Sequence, residues 1–311
     1  MRKRKALVTG GAGFIGSHLC NQLFENGYDV ISYDDLSNGS GKKNLSKHIH
    51  SVKGSILDPQ KFKNICKKVN VVFNLAVKPL PMSFDRPDVV VQVNDYGTYL
   101  VSKICTELKC KLIHISSSEA YGSARTIPMK EDHPLLPSTI YAASKASSEM
   151  YVRGFYETYG LKMVIIRPFN SYGPFMREDL YAAAIPKFFK RINGGKFPII
   201  FGSGKQTRDL TYVDDTVKGI ILADKEPKAI GKTFNIGQGK EISIKKTAEI
   251  VMTEYEKISK KKIIKKIIYH KKRKGDVTRH LADISHAKKI LGYHPSIKIE
   301  EGIKKYFEWR L

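Results

Sequence analysis

The sequence predicts an α/β fold: an open, doubly wound parallel sheet, with a smaller C-terminal lobe interleaved with it. Three features point there. Short apolar stretches alternate with longer helical ones through the first half of the chain. The connections between them are brief, as in parallel sheets covered by helices on both faces. A glycine-rich turn, "TGGAGFIG" at 9–16, joins the first strand to the first helix.

The strand candidates are "KALVT" (5–9), "DVISY" (29–33), "SVKG" (51–54), "VVFNLA" (71–76), "KLIHIS" (111–116) and "KMVIIRP" (162–168). Most are runs of apolar and β-branched residues with turn formers nearby. Between them lie the helical stretches "GSHLCNQLFENG" (16–27), "QKFKNICKKV" (60–69), "VNDYGTYLVSKICTELK" (93–109) and "YAASKASSEMYVRGFYETYG" (141–160). A sheet wound this way is buried, and its ligands are expected beyond the carboxyl ends of the strands. After residue 170, Gly and Pro cluster in "PFNSYGP", "NGGKFPIIFGSGKQTRD" and "FNIGQGKEIS". Elements shorten there, and this region is expected to form the smaller lobe.

Composition bounds the function. The chain has 311 residues, 41% hydrophobic and 27% charged, enough for a substantial core and ordinary for a globular protein. No apolar run approaches the ~20 residues that span a membrane. The basic start is followed by an apolar stretch of only Ala6 to Val8, so secretion is rejected. Cys20, Cys66, Cys105 and Cys110 form no CxxC pair; they read as reduced thiols of a cytoplasmic protein, with no metal site. The net charge of +24 raises the question of nucleic acid, and "KISKKKIIKKIIYHKKRKG" at 257–275 is its densest basic run. No nucleic-acid module accompanies it, so it reads as a solvated lysine-rich face whose field helps collect an anionic substrate.

The glycine turn carries the first chemical signal. Gly10, Gly13 and Gly16 are spaced GxxGxxG between a strand and a helix. Such glycines allow a tight turn, close approach to a pyrophosphate and close helix packing, while the helix N-terminus presents free N–H groups to the anion. The acidic pair Asp34–Asp35 ends the second strand. A carboxylate there accepts hydrogen bonds from adenosine ribose hydroxyls, which favours NAD over its 2′-phosphorylated form. The expected sheet is therefore of the Rossmann type. The second signal is "YAASK" (141–145), which places Tyr141 and Lys145 on one helix face. An ammonium beside a phenol is expected to lower the phenol's pKa and make it a base.

Together with "TGGAGFIGSHL", "YDDLSNG", "FNLAV", "VNDYGT", "SSSEAYG", "RPFNSYGP", "GSGKQTRDLTYVDD" and "GDVTRHLADISHAKKILGYHP", these stretches make the chain resemble an extended short-chain dehydrogenase/reductase. Within that group it is similar to the NAD-dependent nucleotide-sugar epimerases and dehydratases. The resemblance covers nearly the whole chain. It implies an NAD-binding domain over 1–170, with segments returning near 208–236, and a lobe over 171–311 that mainly binds a nucleotide-diphospho-sugar. Gly10, Gly13, Phe14 and Ile15 would wrap the pyrophosphate and Asp34 the ribose. Leu75, Ala76 and Lys78 would line the cofactor. Ser55 and Ile56 fall where relatives carry Asp-Ile toward the adenine, with Asp58 as a displaced substitute. Ser117 would hydrogen-bond the reacting hydroxyl, Tyr141 would be the base, and Lys145 would hold tyrosinate and nicotinamide ribose. Asn170, Arg208 and Arg273 match residues that grip the diphosphate. A homodimer through the helices near 93–109 and 141–160 is also implied.

Glu119 decides the expected reaction type. By resemblance the shared first step makes a 4-keto sugar, whose carbon 5 is then acidic. A nearby carboxylate can take that proton and expel water from carbon 6. Glu119 in "SSSEAYG" resembles the acid of the dehydratases and of the uronate decarboxylases, although Ser118 stands where glucose dehydratases pair an Asp with it. The expectation is 4,6-dehydration of a nucleotide-diphospho-hexose. The alternatives are 4-epimerisation of a UDP-hexose or UDP-uronate, then decarboxylation of UDP-glucuronate. Outside catalysis, a non-catalytic dinucleotide-binding protein is the remaining reading.

Overall fold

The structure, a computed structural model, describes residues 3–37, 41–179, 182–272 and 277–311. At its centre is a seven-stranded, all-parallel sheet. Its strands are β1 (Lys5–Thr9), β2 (Asp29–Asp34), β3 (His50–Lys53), β4 (Val71–Asn74), β5 (Lys111–Ile115), β6 (Met163–Pro168) and β11 (Thr233–Ile236). They lie in the order β11-β6-β5-β4-β1-β2-β3. The order reverses at β1, and the crevice between β1 and β4 is where a doubly wound sheet takes its ligand.

Alternation along β1 shows how the sheet is covered. Ala6 and Val8 face one hydrophobic cluster and Leu7 the other, as the two-residue period of a strand requires. On the first face lie α1 (Phe14–Glu25) and α7 (Val213–Lys225), which pack on one another. On the other face lie α2 (Pro59–Cys66), α4 (Gly97–Glu107) and α5 (Ile140–Tyr159). A short α3 (Pro87–Val90) and a π-helical stretch, Val91–Tyr96, run directly into α4. Thr139 caps α5 by accepting from the Ala142 N–H at 3.1 Å, and Gly160, left-handed at φ +70°, ends it.

The remaining elements are shorter. β7 (Ser171–Tyr172) pairs with β10 (Thr211–Tyr212), β9 (Thr207–Arg208) with β12 (Ile242–Ser243), and β8 (Ile199–Phe201) with β13 (Ile268–His270). Helices α6 (Ala184–Asn193), α8 (Ile244–Ser259) and α10 (Ile299–Arg310) pack together through Phe189, Tyr255, Tyr306 and Phe307, whereas α9 (Ser285–Leu291) packs against β11 and α7. This part of the chain is threaded back into the sheet: β11 pairs with β6, and α7 covers α1. Among the described residues no helix is long and apolar enough to cross a membrane.

Candidate active site

A cavity of about 360 Å³ opens at the carboxyl edge of the sheet. Its floor is the 10–16 loop. Gly10 sits at φ +64°, and a Cβ there would come within 2.9 Å of the backbone of Leu75 and Ala76. A Cβ on Gly16 would lie 2.0 Å from the Gly10 carbonyl. Side chains are therefore excluded at these two points, and the loop backbone lies close under the cavity. Phe14 and Ile15, the first two residues of α1, line it as well.

Farther along the crevice, Asp34 and Asp35 behave differently. The buried Asp34 carboxylate accepts from the N–H groups of Ala12 (3.0 Å) and Leu36 (2.7 Å), tying the glycine loop to the end of β2. Burial raises its pKa and those two bonds pull it back. Asp35 accepts from Ser37 and from the Lys78 ammonium at 3.0 Å. Ser55, Ile56, Leu75, Ala76 and Lys78 all line the same cavity. Asp58 does not: it accepts from the Lys61 N–H and caps α2, so it is no substitute for an acid at the Ser55 position.

At the other end, β5 delivers Ser116 and Ser117, and the 3₁₀ turn Ser118–Tyr121 delivers Glu119. The Ser117 hydroxyl accepts from the Glu119 N–H at 3.2 Å and also bonds the Tyr141 phenol. The first turns of α5 bring Tyr141 and Lys145 to the same wall. Here the structure corrects an expectation. Burial pushes the Tyr141 phenol up to about 12; the Ser117 hydrogen bond opposes the rise and the Glu119 carboxylate adds to it. The Lys145 ammonium donates to the Ile115 carbonyl at 2.6 Å rather than to the phenol. Burial brings the ammonium itself down to about 8, against the raising influence of Glu149. The free protein thus holds a protonated phenol beside a lysine near its ionisation point.

Of the three residues assigned to a diphosphate, Asn170 lines the cavity, and its buried Nδ2 makes no hydrogen bond among the described residues. Arg208 does not line it; its guanidinium donates to the carbonyls of Thr207 and Val277 at 2.8 Å each. Arg273 lies outside the described residues. Phe175 and Met176 are additions to the wall, and Arg177, beside the "YGPF" that stands where relatives have "YGPR", lines it too. Phe175 is left-handed at φ +69°, its ring packed on His18 and Trp309, and Arg177 is ion-paired with Asp179. The adjoining "YGP" was a signal for this turn, but only the fold reveals that it faces the glycine loop. Ser116 is a further addition, and its buried Oγ also has no hydrogen-bond partner among the described residues.

These residues fit a dinucleotide. The close-packed glycine backbone and the acid-lined crevice suit its pyrophosphate and adenosine, and two polar groups without a partner among the described residues line the same cavity, which Tyr141 also lines. A glycine-loop crevice on the β1/β4 switch point that runs into a Ser–Tyr–Lys wall is the organisation of short-chain dehydrogenase/reductases. Comparison narrows this. A family model described as GDP-mannose 4,6 dehydratase matches residues 7–306. The chain is 35% identical to a putative UDP-glucose 4-epimerase of Methanocaldococcus jannaschii, covering 97% of each. It is 32% identical to the UDP-N-acetyl-alpha-D-glucosaminuronate decarboxylase of Bacillus cytotoxicus, over 99% of this chain and 98% of the relative. DesIV, a dTDP-glucose 4,6-dehydratase from Streptomyces venezuelae solved with NAD, superposes with a TM-score of 0.90 at 28% identity, covering 98% and 96%. The chain belongs to the extended short-chain dehydrogenase/reductase family of nucleotide-sugar epimerases and dehydratases.

Proposed function

We propose that the protein oxidises the 4-hydroxyl of a nucleotide-diphospho-hexose and then eliminates water across carbons 5 and 6. The 10–16 segment and the Asp34–Asp35 crevice would hold NAD, which would supply the acceptor for the sugar's hydride and its donor in the return step. Tyr141, once ionised, takes the hydroxyl proton, Ser117 holds the same oxygen in place, and the Lys145 ammonium, turned from the Ile115 carbonyl toward the phenol, favours the phenolate. The ketone at carbon 4 acidifies carbon 5. Glu119 removes that proton and delivers it to the carbon 6 hydroxyl, which departs as water; return of the hydride to carbon 6 and addition of a solvent proton at carbon 5 then give the 4-keto-6-deoxy sugar. Asn170 binds the diphosphate side of the substrate.

One observation carries this reading. Glu119 lines the cavity that Tyr141 lines, close enough for its charge to raise the phenol. An ordinary surface carboxylate has no such placement. The test is incubation with UDP-, dTDP- and GDP-hexoses followed by mass spectrometry. The reading expects loss of one water and uptake of solvent deuterium at carbon 5; conversion without a change of mass contradicts it.

A second reading, 4-epimerisation, is favoured by a specific feature. Among the described cavity residues, Glu119 is the one carboxylate at the tyrosine end, and Ser118 stands beside it. Elimination also needs an acid for the departing hydroxyl, whereas epimerisation needs neither group. Its mark is a product isobaric with the substrate but distinct by NMR. We further infer a homodimer through the α4 and α5 helices, where Tyr96, just ahead of α4, and Met150, Tyr151 and Tyr159 of α5 are exposed.

A further inference from the structure

Arg167, near the end of β6, lies behind the catalytic wall and is only 2% exposed. It pairs with the fully buried Glu149 of α5: Nε donates to Oε1 at 2.9 Å, and a terminal nitrogen donates to Oε2 at 2.6 Å. Its other terminal nitrogen donates to the Tyr121 hydroxyl at 2.6 Å and to the Glu131 carbonyl at 2.8 Å. The guanidinium also lies 4.5 Å from the centre of the Tyr121 ring. The Tyr121 hydroxyl in turn donates to Asn235 on β11 at 2.7 Å.

The sequence positions of these partners give the network its meaning. Tyr121 closes the 3₁₀ turn that begins beside Ser117 and carries Glu119. Glu149 stands one helical turn after Lys145 on the buried face of α5. The strand that bears Arg167 is bonded to the same serine stretch, since the Ser116 N–H donates to the Ile166 carbonyl at 2.7 Å. One planar fork thus grips both pieces that supply the reactive groups. A buried ion pair is often no more stabilising than apolar residues of equal volume, so stability alone is a weak reason for its presence. What the fork supplies is fixed geometry, through donors whose directions cannot vary independently.

We propose that Arg167 is a positioning residue: through Tyr121 and Glu149 it sets the placement of the Ser117–Glu119 turn relative to the Tyr141–Lys145 helix. The inference rests on the catalytic roles given above. A displacement of about 1 Å between reacting groups costs up to roughly 100-fold in rate, so loosening this clamp should lower kcat while leaving KM nearly unchanged. Glu149 has an electrical role as well, because its carboxylate helps Lys145 keep its proton.

The test uses Arg167→Lys, which keeps the charge and loses the fork, and Tyr121→Phe, which keeps the Arg167–Glu149 pair and releases the turn. Each is measured beside the wild type and Tyr141→Phe on the sugar nucleotide that the wild type turns over fastest. Retained NAD, thermal melting, kcat, KM and the pH profile are recorded. The expected result is folded, NAD-bearing protein with kcat down about tenfold or more and KM within about twofold. In Glu149→Gln the alkaline limb of kcat/KM should move to lower pH, a change that a merely structural role does not produce. Wild-type kcat in either folded clamp variant, or an unmoved limb in Glu149→Gln, overturns the proposal. If Arg167→Lys does not fold, Tyr121→Phe decides the same question. Full activity in Tyr141→Phe would instead bring down the catalytic reading itself.

Discussion

Tyr141, Lys145 and Glu119 set opposing demands within one small volume. The phenol must lose a proton, yet burial and the Glu119 charge both make that harder, while the adjacent ammonium is directed to the Ile115 carbonyl. In NAD-free protein, therefore, the Tyr141 phenol should not ionise below about pH 11. A wild-type minus Tyr141→Phe ultraviolet titration checks this, and ionisation near neutrality would refute it. Lys145 is protonated below about 8 and neutral above it. Since the ammonium is the active form, kcat/KM, which reports the free enzyme, should fall on the alkaline side as pH passes through that region. Glu119→Gln should cut formation of a dehydrated product by about 100-fold or more, on the usual scale for loss of a proton-transfer group. Reduced nicotinamide should still form, because the first oxidation uses Tyr141 and not Glu119. An unimpaired Glu119→Gln variant would favour the epimerase.

Elements matter through what they hold still. The 10–16 loop admits no side chain at Gly16, where a Cβ would lie 2.0 Å from the Gly10 carbonyl. Gly16→Ala should therefore yield protein that retains little NAD after purification, read by absorbance of the released nucleotide. Thr139 caps α5 just ahead of Tyr141. Thr139→Ala should cost about 1 kcal/mol in urea unfolding, the usual value of such a cap. The glycine loop and the Tyr141–Lys145 spacing were legible in the sequence because both are local patterns between elements of clear period. What spacing cannot convey is direction. Lys145 falls one turn from Tyr141 as expected, but the sequence did not reveal that its ammonium faces Ile115. Asp58 looked like an acid near the adenine and proved to be a helix cap, a use that depends on where α2 begins.

At the scale of the molecule, the alternating half of the chain was readable from its pattern, with strand limits displaced by only a few residues. The second half was harder to read. Phe175, Met176 and Arg177 reach the cavity through a turn with a left-handed non-glycine residue, which no periodicity announces. Arg208 sits in a motif that resembles a diphosphate grip, yet its guanidinium is bonded to backbone carbonyls beside β9. The exposed tyrosines on α5 and just ahead of α4 predict association: light scattering should return twice the chain mass, and a monomer mass would remove the dimer. The account depends most on a transient ketone made by the chain's own hydride chemistry. Rapid mixing of the purified, NAD-bearing protein with each sugar nucleotide, followed at the absorbance of reduced nicotinamide, tests this directly. The account predicts a transient rise with the true substrate that disappears in Tyr141→Phe. Protein that retains no NAD, or that forms no reduced nucleotide with any sugar donor, would contradict it.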